Sequence, residues 1–150
     1  MVANGLPILL NVWLRDRAAW SIDAGIRLGR NGNPLFGTHK TWRGLLAAVI
    51  GTAAAAVVLG LPAATGAMVG LWAMVGDVLS SFLKRRLDRG VGDQAMGLDQ
   101  IPESLLPLLA VRGQLGLGFG EIAILVALFL LLELWLSRML YTWNIREHPW

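Results

Sequence analysis

Asp77 is a carboxylate placed where a carboxylate is expensive. It lies inside an apolar run that begins at Ala63 and carries no earlier charge. Ser81 follows one helical turn later and Lys84 two turns later, so the three share one face of a helix. Lys84 opens a basic cluster with Arg85, Arg86 and Arg89. Asp88 lies within it and Asp93 beyond it, and Leu98-Asp99-Gln100 closes the loop. An ionisable residue at membrane depth marks a functional site by default. Oxygen-only ligands at a water–membrane boundary suit Mg²⁺, which keeps several waters and bridges substrate phosphates. Arginines suit phosphate oxygens by bidentate contact, and lysines as point charges. Acids for a metal beside cations for phosphate are the parts of a nucleotide-dependent phosphoryl transferase. The same basic cluster also reads as a cytoplasmic anchor touching lipid headgroups. Charge pattern alone leaves both readings open.

A second polar stretch, Gly37-Thr38-His39-Lys40-Thr41-Trp42-Arg43-Gly44, stands directly before another apolar run. Its glycines, hydroxyls and cations could hold phosphate through backbone N–H groups and side chains. It could equally be an interfacial tryptophan with snorkelling Lys and Arg. It is not a Walker A loop, because the first glycine is misplaced and no strand precedes it. His39 stands alone, which favours a solvated or hydrogen-bonded histidine over a metal ligand.

The elements that must position these residues are apolar segments. The 150-residue chain is 55% hydrophobic and 15% charged, with mean hydropathy +0.58. Soluble domains carry about 25% charged residues, so the expected class is an all-α integral membrane protein forming one catalytic domain over residues 1–150. Spans are expected near 2–14, 44–61, 63–83, 102–111 and 119–136. Pro62 separates the second from the third. Pro102 fits the first turn of the fourth, and Pro107 is a candidate kink within it. With five spans, every Lys and Arg except Arg112 falls on one side of the bilayer. The positive-inside rule then puts the N-terminus outside and the C-terminus and both large loops in the cytoplasm. No secretory signal peptide is expected, because the positive charges follow the first apolar run. Gly66 and Gly70 form a small-xxx-small pair that suits close helix packing. There is no cysteine, which excludes disulfides and thiolate metal sites. The net charge of +3 is modest, and no nucleic-acid partner is expected.

The run Gly76-Asp77-x-x-x-Ser81-Phe82-x-Lys84-Arg85-Arg86, with Leu98-Asp99-Gln100, resembles the signature of CTP-dependent cytidylyltransferases that activate phospholipid precursors. Lys40-Thr41-Trp42 with Gly44 is similar to the K-T-W-E-G element of the bacterial CDP-diglyceride synthetases. Arg43 in place of the Glu, Asp99-Gln100 in place of Asp-Arg, and the short chain resemble the archaeal branch, the CDP-archaeol synthases. Ala3-Asn4 with Pro7, Asp23 with Gly25, and Phe36-Gly37 are also similar to that branch. The chain departs from the bacterial pattern at Gly90-Val91, where Lys-Asp is usual. It departs from the archaeal one at Asn31-Gly32, where Asp-Gly is usual, and near Pro102, where a second acid is usual.

The resemblance implies that an isoprenoid diether glycerol phosphate attacks the α-phosphorus of CTP, with Mg²⁺, at the cytoplasmic face of the bilayer. It implies catalytic roles for Asp77, Asp99 and Lys84, with Asp77 and Asp99 as metal ligands. Asp23 is a better candidate than Glu103 for a third. Substrate contacts would come from Ser81, Arg85, Arg86, Lys40, Thr41, Arg43, Gln100 and Asn4. The nucleophile is already anionic at neutral pH, so the barrier is charge repulsion and positioning. If Asp77 were only an anchor, Lys84 or Arg85 would be its partner. Two competing classes are a small channel or transporter and a related CTP-dependent polyprenol kinase. The ionisable groups cluster at one face instead of lining a pore, which disfavours the channel. The D-G-x-x-A-R element of the CDP-alcohol phosphotransferases is missing.

Overall fold

Thr41 opens the first well-defined helix. Its hydroxyl accepts a hydrogen bond from the Gly44 amide at 3.2 Å, satisfying one of the donors that a helix start leaves open. In this computed structural model, which describes residues 3, 5, 20–27, 34–37, 40–89, 95 and 97–142, helix α1 runs Trp42–Val58. Gly60 adopts a left-handed φ of 76° and Pro62 follows, so the chain turns sharply into α2, Ala63–Arg86. Lys84, Arg85 and Arg86 form its last turn, where cations meet the negative end of the helix dipole. The Arg89 amide donates back to the Lys84 carbonyl at 3.0 Å, with Asp88 left-handed at φ 54°. This is the Schellman arrangement, with Asp in the position that glycine usually takes. Helix α3 runs Gln100–Leu115 and contains Pro107. Gly116 ends it in the left-handed conformation, and α4 continues from Phe119 to Thr142.

Short turns join α1 to α2 and α3 to α4, so neighbours run antiparallel. Helix α2 packs against both α1 and α3, while α4 packs against α3 alone among these helices. Small residues set the closest approach. A Cβ on Gly70 would stand 2.1 Å from Thr52 Oγ1 and 2.9 Å from the Ala48 carbonyl, and one on Gly66 would stand 2.3 Å from the Thr52 carbonyl. The glycine pair therefore serves packing, as its spacing predicts. Ala48, Ala73, Met74 and Ala3 form a buried cluster with Leu45 against it. Before α1, two isolated antiparallel bridges, Ser21↔Thr41 and Arg27↔Pro34, fold the first loop back on itself.

Ala63–Arg86 and Phe119–Met139 are long and apolar enough to cross a membrane, and Trp42–Val58 is a shorter apolar helix. The expected helical class holds; the expected boundaries move. The second expected span begins two residues earlier, because Thr41 caps it, and ends three earlier at Val58. The third runs on through the basic residues to Arg86. The fourth is not a short piece: it passes Pro107 and Arg112 to Leu115. The Arg112 guanidinium lies 3.8 Å from the Phe119 ring centroid, and its Nε donates to the Leu117 carbonyl, so the cation is stabilised at the helix end without stopping the helix. The first expected span, 2–14, lies outside the described residues except for Ala3 and Gly5, which are helical.

Candidate active site at the charged end of the bundle

The antiparallel order brings the start of α1, the end of α2 and the start of α3 to one end of the molecule. Gly76 sets how closely α2 and α3 approach there. A Cβ on it would stand 2.4 Å from the Pro102 carbonyl oxygen, so only glycine admits the α3 backbone at this distance. The contact fixes the separation of the two acids that flank it in sequence, Asp77 beside Gly76 and Asp99 three residues before Pro102.

Each acid has a lysine against it. Lys40 Nζ, from the first loop, donates to Asp77 Oδ2 at 2.5 Å. Lys84 Nζ lies 2.8 Å from Asp99 Oδ1 and 3.0 Å from Oδ2. The side chains of Asp77 and Asp99 remain 24% and 25% exposed, and those of Lys40 and Lys84 22% and 11%, so both pairs are reachable from solvent. This corrects the expectation that an anchoring Asp77 would pair with Lys84 or Arg85. Its ion-pair partner comes from another element, 37 residues back in the chain, and Lys84 turns to Asp99 instead. The Ala95 amide also donates to Asp99 Oδ2, at 3.1 Å. Gln100 Oε1 accepts from the Gly97 amide at 2.8 Å, which ties the loop end to the start of α3.

The other expected residues divide between the site and its supports. Ser81 is buried on α2, and neighbouring Ser80 donates to the Asp77 carbonyl at 2.9 Å. Arg85 is buried and donates through Nη1 to the Arg89 carbonyl. Arg86 donates to the Pro34 carbonyl at 3.3 Å and lies 5.2 Å from the Phe82 ring centroid, with Phe36 tilted against that ring. Arg86 thus ties the first loop to the end of α2. Thr41 is the α1 cap, and Arg43 lies half-buried in the next turn. Asn4 and His39 lie outside the described residues.

Asp23 is 3% exposed. Its Oδ1 accepts from the Ser21 hydroxyl and the Gly25 amide, and its Oδ2 from the Phe36 and Gly37 amides. Burial acts to raise its pKa, but the four hydrogen bonds outweigh it and hold the carboxyl below its ordinary 3.8. A carboxylate offers about four acceptor sites, and the loop fills them. That geometry makes Asp23 a staple closing the first loop, which in turn carries Lys40 towards Asp77.

Among the described residues no three acids or histidines cluster closely enough to hold a metal by themselves. Two carboxylates still fit Mg²⁺, because that ion is commonly held by one or two carboxylates with waters and substrate phosphates completing its shell. Glu103 is a further acid at this end of α3. It is buried in the first turn of α3, packed by its backbone on Gly76, and lines a cavity of about 470 Å³. The cavity is apolar, with Ala73 and Ser104 near its upper end and Leu59, Leu61 and Leu115 near its lower end. Its upper end is one turn of α2 from Asp77 and one turn of α3 from Asp99.

A family model described as CarS-like: CDP-archaeol synthase matches residues 18–150. A CDP-archaeol synthase of Thermococcus onnurineus is 30% identical, the match covering 99% of this chain and 89% of the relative. One of Halobacterium salinarum is 35% identical over 86% of this chain and 82% of its own. A solved structure of an intramembrane enzyme for archaeal membrane lipids biosynthesis superposes with a TM-score of 0.69 at 32% identity. That superposition covers 89% of this chain and 85% of the other.

Proposed function

The chain belongs to the CDP-archaeol synthase family, and from that premise we propose that its charged end binds CTP with Mg²⁺ held by Asp77 and Asp99. It is a membrane-embedded cytidylyltransferase that makes CDP-archaeol from CTP. The lipid substrate we infer is an archaeal diether glycerol 1-phosphate with geranylgeranyl chains. A phosphate oxygen of that lipid attacks the α-phosphorus of CTP, the bond from the α-phosphorus to the bridging oxygen breaks, and pyrophosphate leaves. Magnesium, when bound, neutralises charge on the triphosphate and on the departing pyrophosphate. Lys40, Lys84 and Arg43 stand where cations can lower the repulsion between the anionic nucleophile and the triphosphate, and no strong base is required. The apolar cavity suits a lipid chain: its lining spans from Ala73 to Thr65 on α2, about 12 Å of helix. A lipid held there would keep its phosphate near Asp77 and Asp99.

The observation that carries this reading is the juxtaposition itself. Asp77 on α2 and Asp99 at the start of α3, each beside a lysine, stand one helical turn along the chain from Ala73 and Glu103, which line the apolar cavity. We further propose five spans with an outside N-terminus and this end in the cytoplasm, where CTP is available. The test is turnover of purified protein with CTP, Mg²⁺ and the lipid phosphate, read as CDP-lipid. Asp77→Asn and Asp99→Asn should each lower kcat by about a hundredfold or more, about 3 kcal/mol of transition-state stabilisation, with unchanged folding. Equal turnover with ATP would reject the nucleotide assignment. Near-normal activity in both variants, with unchanged Mg²⁺ dependence, would reject the metal assignment.

A further inference from the structure

Lys40 and Lys84 sit on the very carboxylates that the proposed function gives to the metal. We propose that their ammonium groups are place-holding counter-cations. They pair with Asp77 and Asp99 before substrate arrives, and must leave those acids for a nucleotide-bound Mg²⁺ to be held. This inference rests on the metal-site reading above and adds to it an exchange of partners.

Three observations carry it. Each acid has a lysine in contact with it: Lys40 is 2.5 Å from Asp77, and Lys84 is 2.8 Å from Asp99. A partly buried carboxylate at the edge of an apolar bundle is costly to keep charged without a counter-ion, so a cation must stand there when no metal does. The cations are also of the exchangeable kind. Arg43 stands three residues after Lys40, and Arg85 and Arg86 follow Lys84 on α2, yet both acids take lysine. Lysine carries rotatable donors on a flexible stem and grips no carboxylate by a planar fork. Finally, the Lys40 side chain is 22% exposed and so has room to swing, and Lys84, itself buried, stands against an Asp99 side chain that is 25% exposed.

Charge balance points the same way. With each acid neutralised by its lysine, a divalent ion meets no net negative charge. A triphosphate carries more negative charge than one Mg²⁺ cancels, so an incoming nucleotide offers each ammonium a better partner than its aspartate. The lysines would then turn from carboxylate to phosphate, and the acids would become free for the metal in the same event. Metal binding without nucleotide should therefore be weak, and nucleotide should promote it.

The test is Mn²⁺ affinity, measured by electron paramagnetic resonance on the full-length protein in nanodiscs, without nucleotide. Lys40→Met and Lys84→Met should each bind Mn²⁺ about tenfold tighter than wild type or better, because a competing positive charge within a few ångströms has gone. Lys40→Arg keeps the charge and adds a fork, and should bind Mn²⁺ no better than wild type; it covers the case in which Lys40→Met does not fold. Addition of CTP should tighten Mn²⁺ binding in wild type and do so less in the methionine variants. Folded methionine variants whose Mn²⁺ affinity is unchanged or weaker, beside a wild type that binds Mn²⁺ with CTP, overturn the exchange alone. A wild type that binds no Mn²⁺ even with CTP overturns the metal-site reading, and the exchange with it. Neither result bears on whether the protein forms a CDP-lipid, which the turnover assay reads separately.

Discussion

Gly76→Ala should lower turnover far more than it lowers stability. The added methyl would meet the Pro102 carbonyl oxygen at 2.4 Å, the Pro102 carbonyl carbon at 2.6 Å and the Glu103 Cα at 2.7 Å. All three are main-chain atoms, so no side chain can swing aside. Ordinary contact begins at 3.4 Å, so α3 must retreat from α2 by about 1 Å at this level. Overpacking of this kind costs about 1–3 kcal/mol. Alanine returns about 1 kcal/mol through its helix propensity, leaving a modest net loss that a folded bundle can survive. Asp99 moves with Pro102, while Asp77 stays on α2. A misplacement of about 1 Å between groups that must act together can cost about a hundredfold in rate. The assay is kcat and KM for CTP beside a thermal midpoint. The expected result is a hundredfold fall in kcat with a midpoint lowered by only a few degrees. Gly113→Ala on α3 is the control, since nothing lies within 4 Å of its added Cβ; it should match wild type in rate and gain slightly in stability. A Gly76→Ala protein with wild-type kcat would refute the claim that helix approach sets the acid spacing.

Two further outcomes follow from the loop and the charge distribution. The Asp23 carboxyl titrates below 3.8 in the folded loop, so its contribution is complete above that pH and disappears as pH falls through the lower folded value. Hydrogen-exchange protection of the Gly25, Phe36 and Gly37 amides should therefore be lost in Asp23→Asn at neutral pH. The difference from wild type should shrink only below about pH 3.8; a difference that closes already at pH 5 would refute it. For the proposed topology, the chain has no native cysteine, so single cysteines report cleanly. Gly113→Cys should be labelled by an impermeant reagent from outside and Gly92→Cys only after permeabilisation, and outside labelling at residue 92 would reject the orientation.

What could be read in the sequence was local. Proline at 62 and the glycine pair at 66 and 70 act through backbone geometry and residue size, and the helix break and close packing stand where they put them. The same holds for Asp77, Ser81 and Lys84, whose spacing places them on one face of α2. Boundaries were less legible because polar residues can extend a helix as well as end it. Arg112 looked like a terminus, yet its guanidinium finds Phe119 and a carbonyl at the end of α3, so the helix continues past it. Capping by Thr41 moved the start of α1 for a similar reason.

The ion pairs were illegible for a deeper reason. Periodicity says which residues share a face and nothing of what another element brings to it. Lys84 shares a face with Asp77 but stands two turns, about 10 Å, along the helix, and even the closer i,i+4 pairs are worth only a few tenths of a kcal/mol at a helix surface. That is too little to decide the geometry against a loop. The loop arrives through Asp23, whose four hydrogen bonds tie Ser21 and Gly25 to Phe36 and Gly37, and through Arg86, which fastens Pro34 to α2. With the loop so held, Lys40 reaches Asp77, and Lys84 is left to the acid that Gly76 admits beside it. Asp23, Arg86 and Gly76 resemble binding or motif residues in the sequence, and in the structure each also holds a neighbouring segment in place. Replacing Arg86 with Lys should therefore loosen the loop and raise KM for CTP, while leaving Mn²⁺ affinity without nucleotide close to wild type or tighter. A loss of that Mn²⁺ affinity would mean that Arg86 supports the acids directly and not through Lys40.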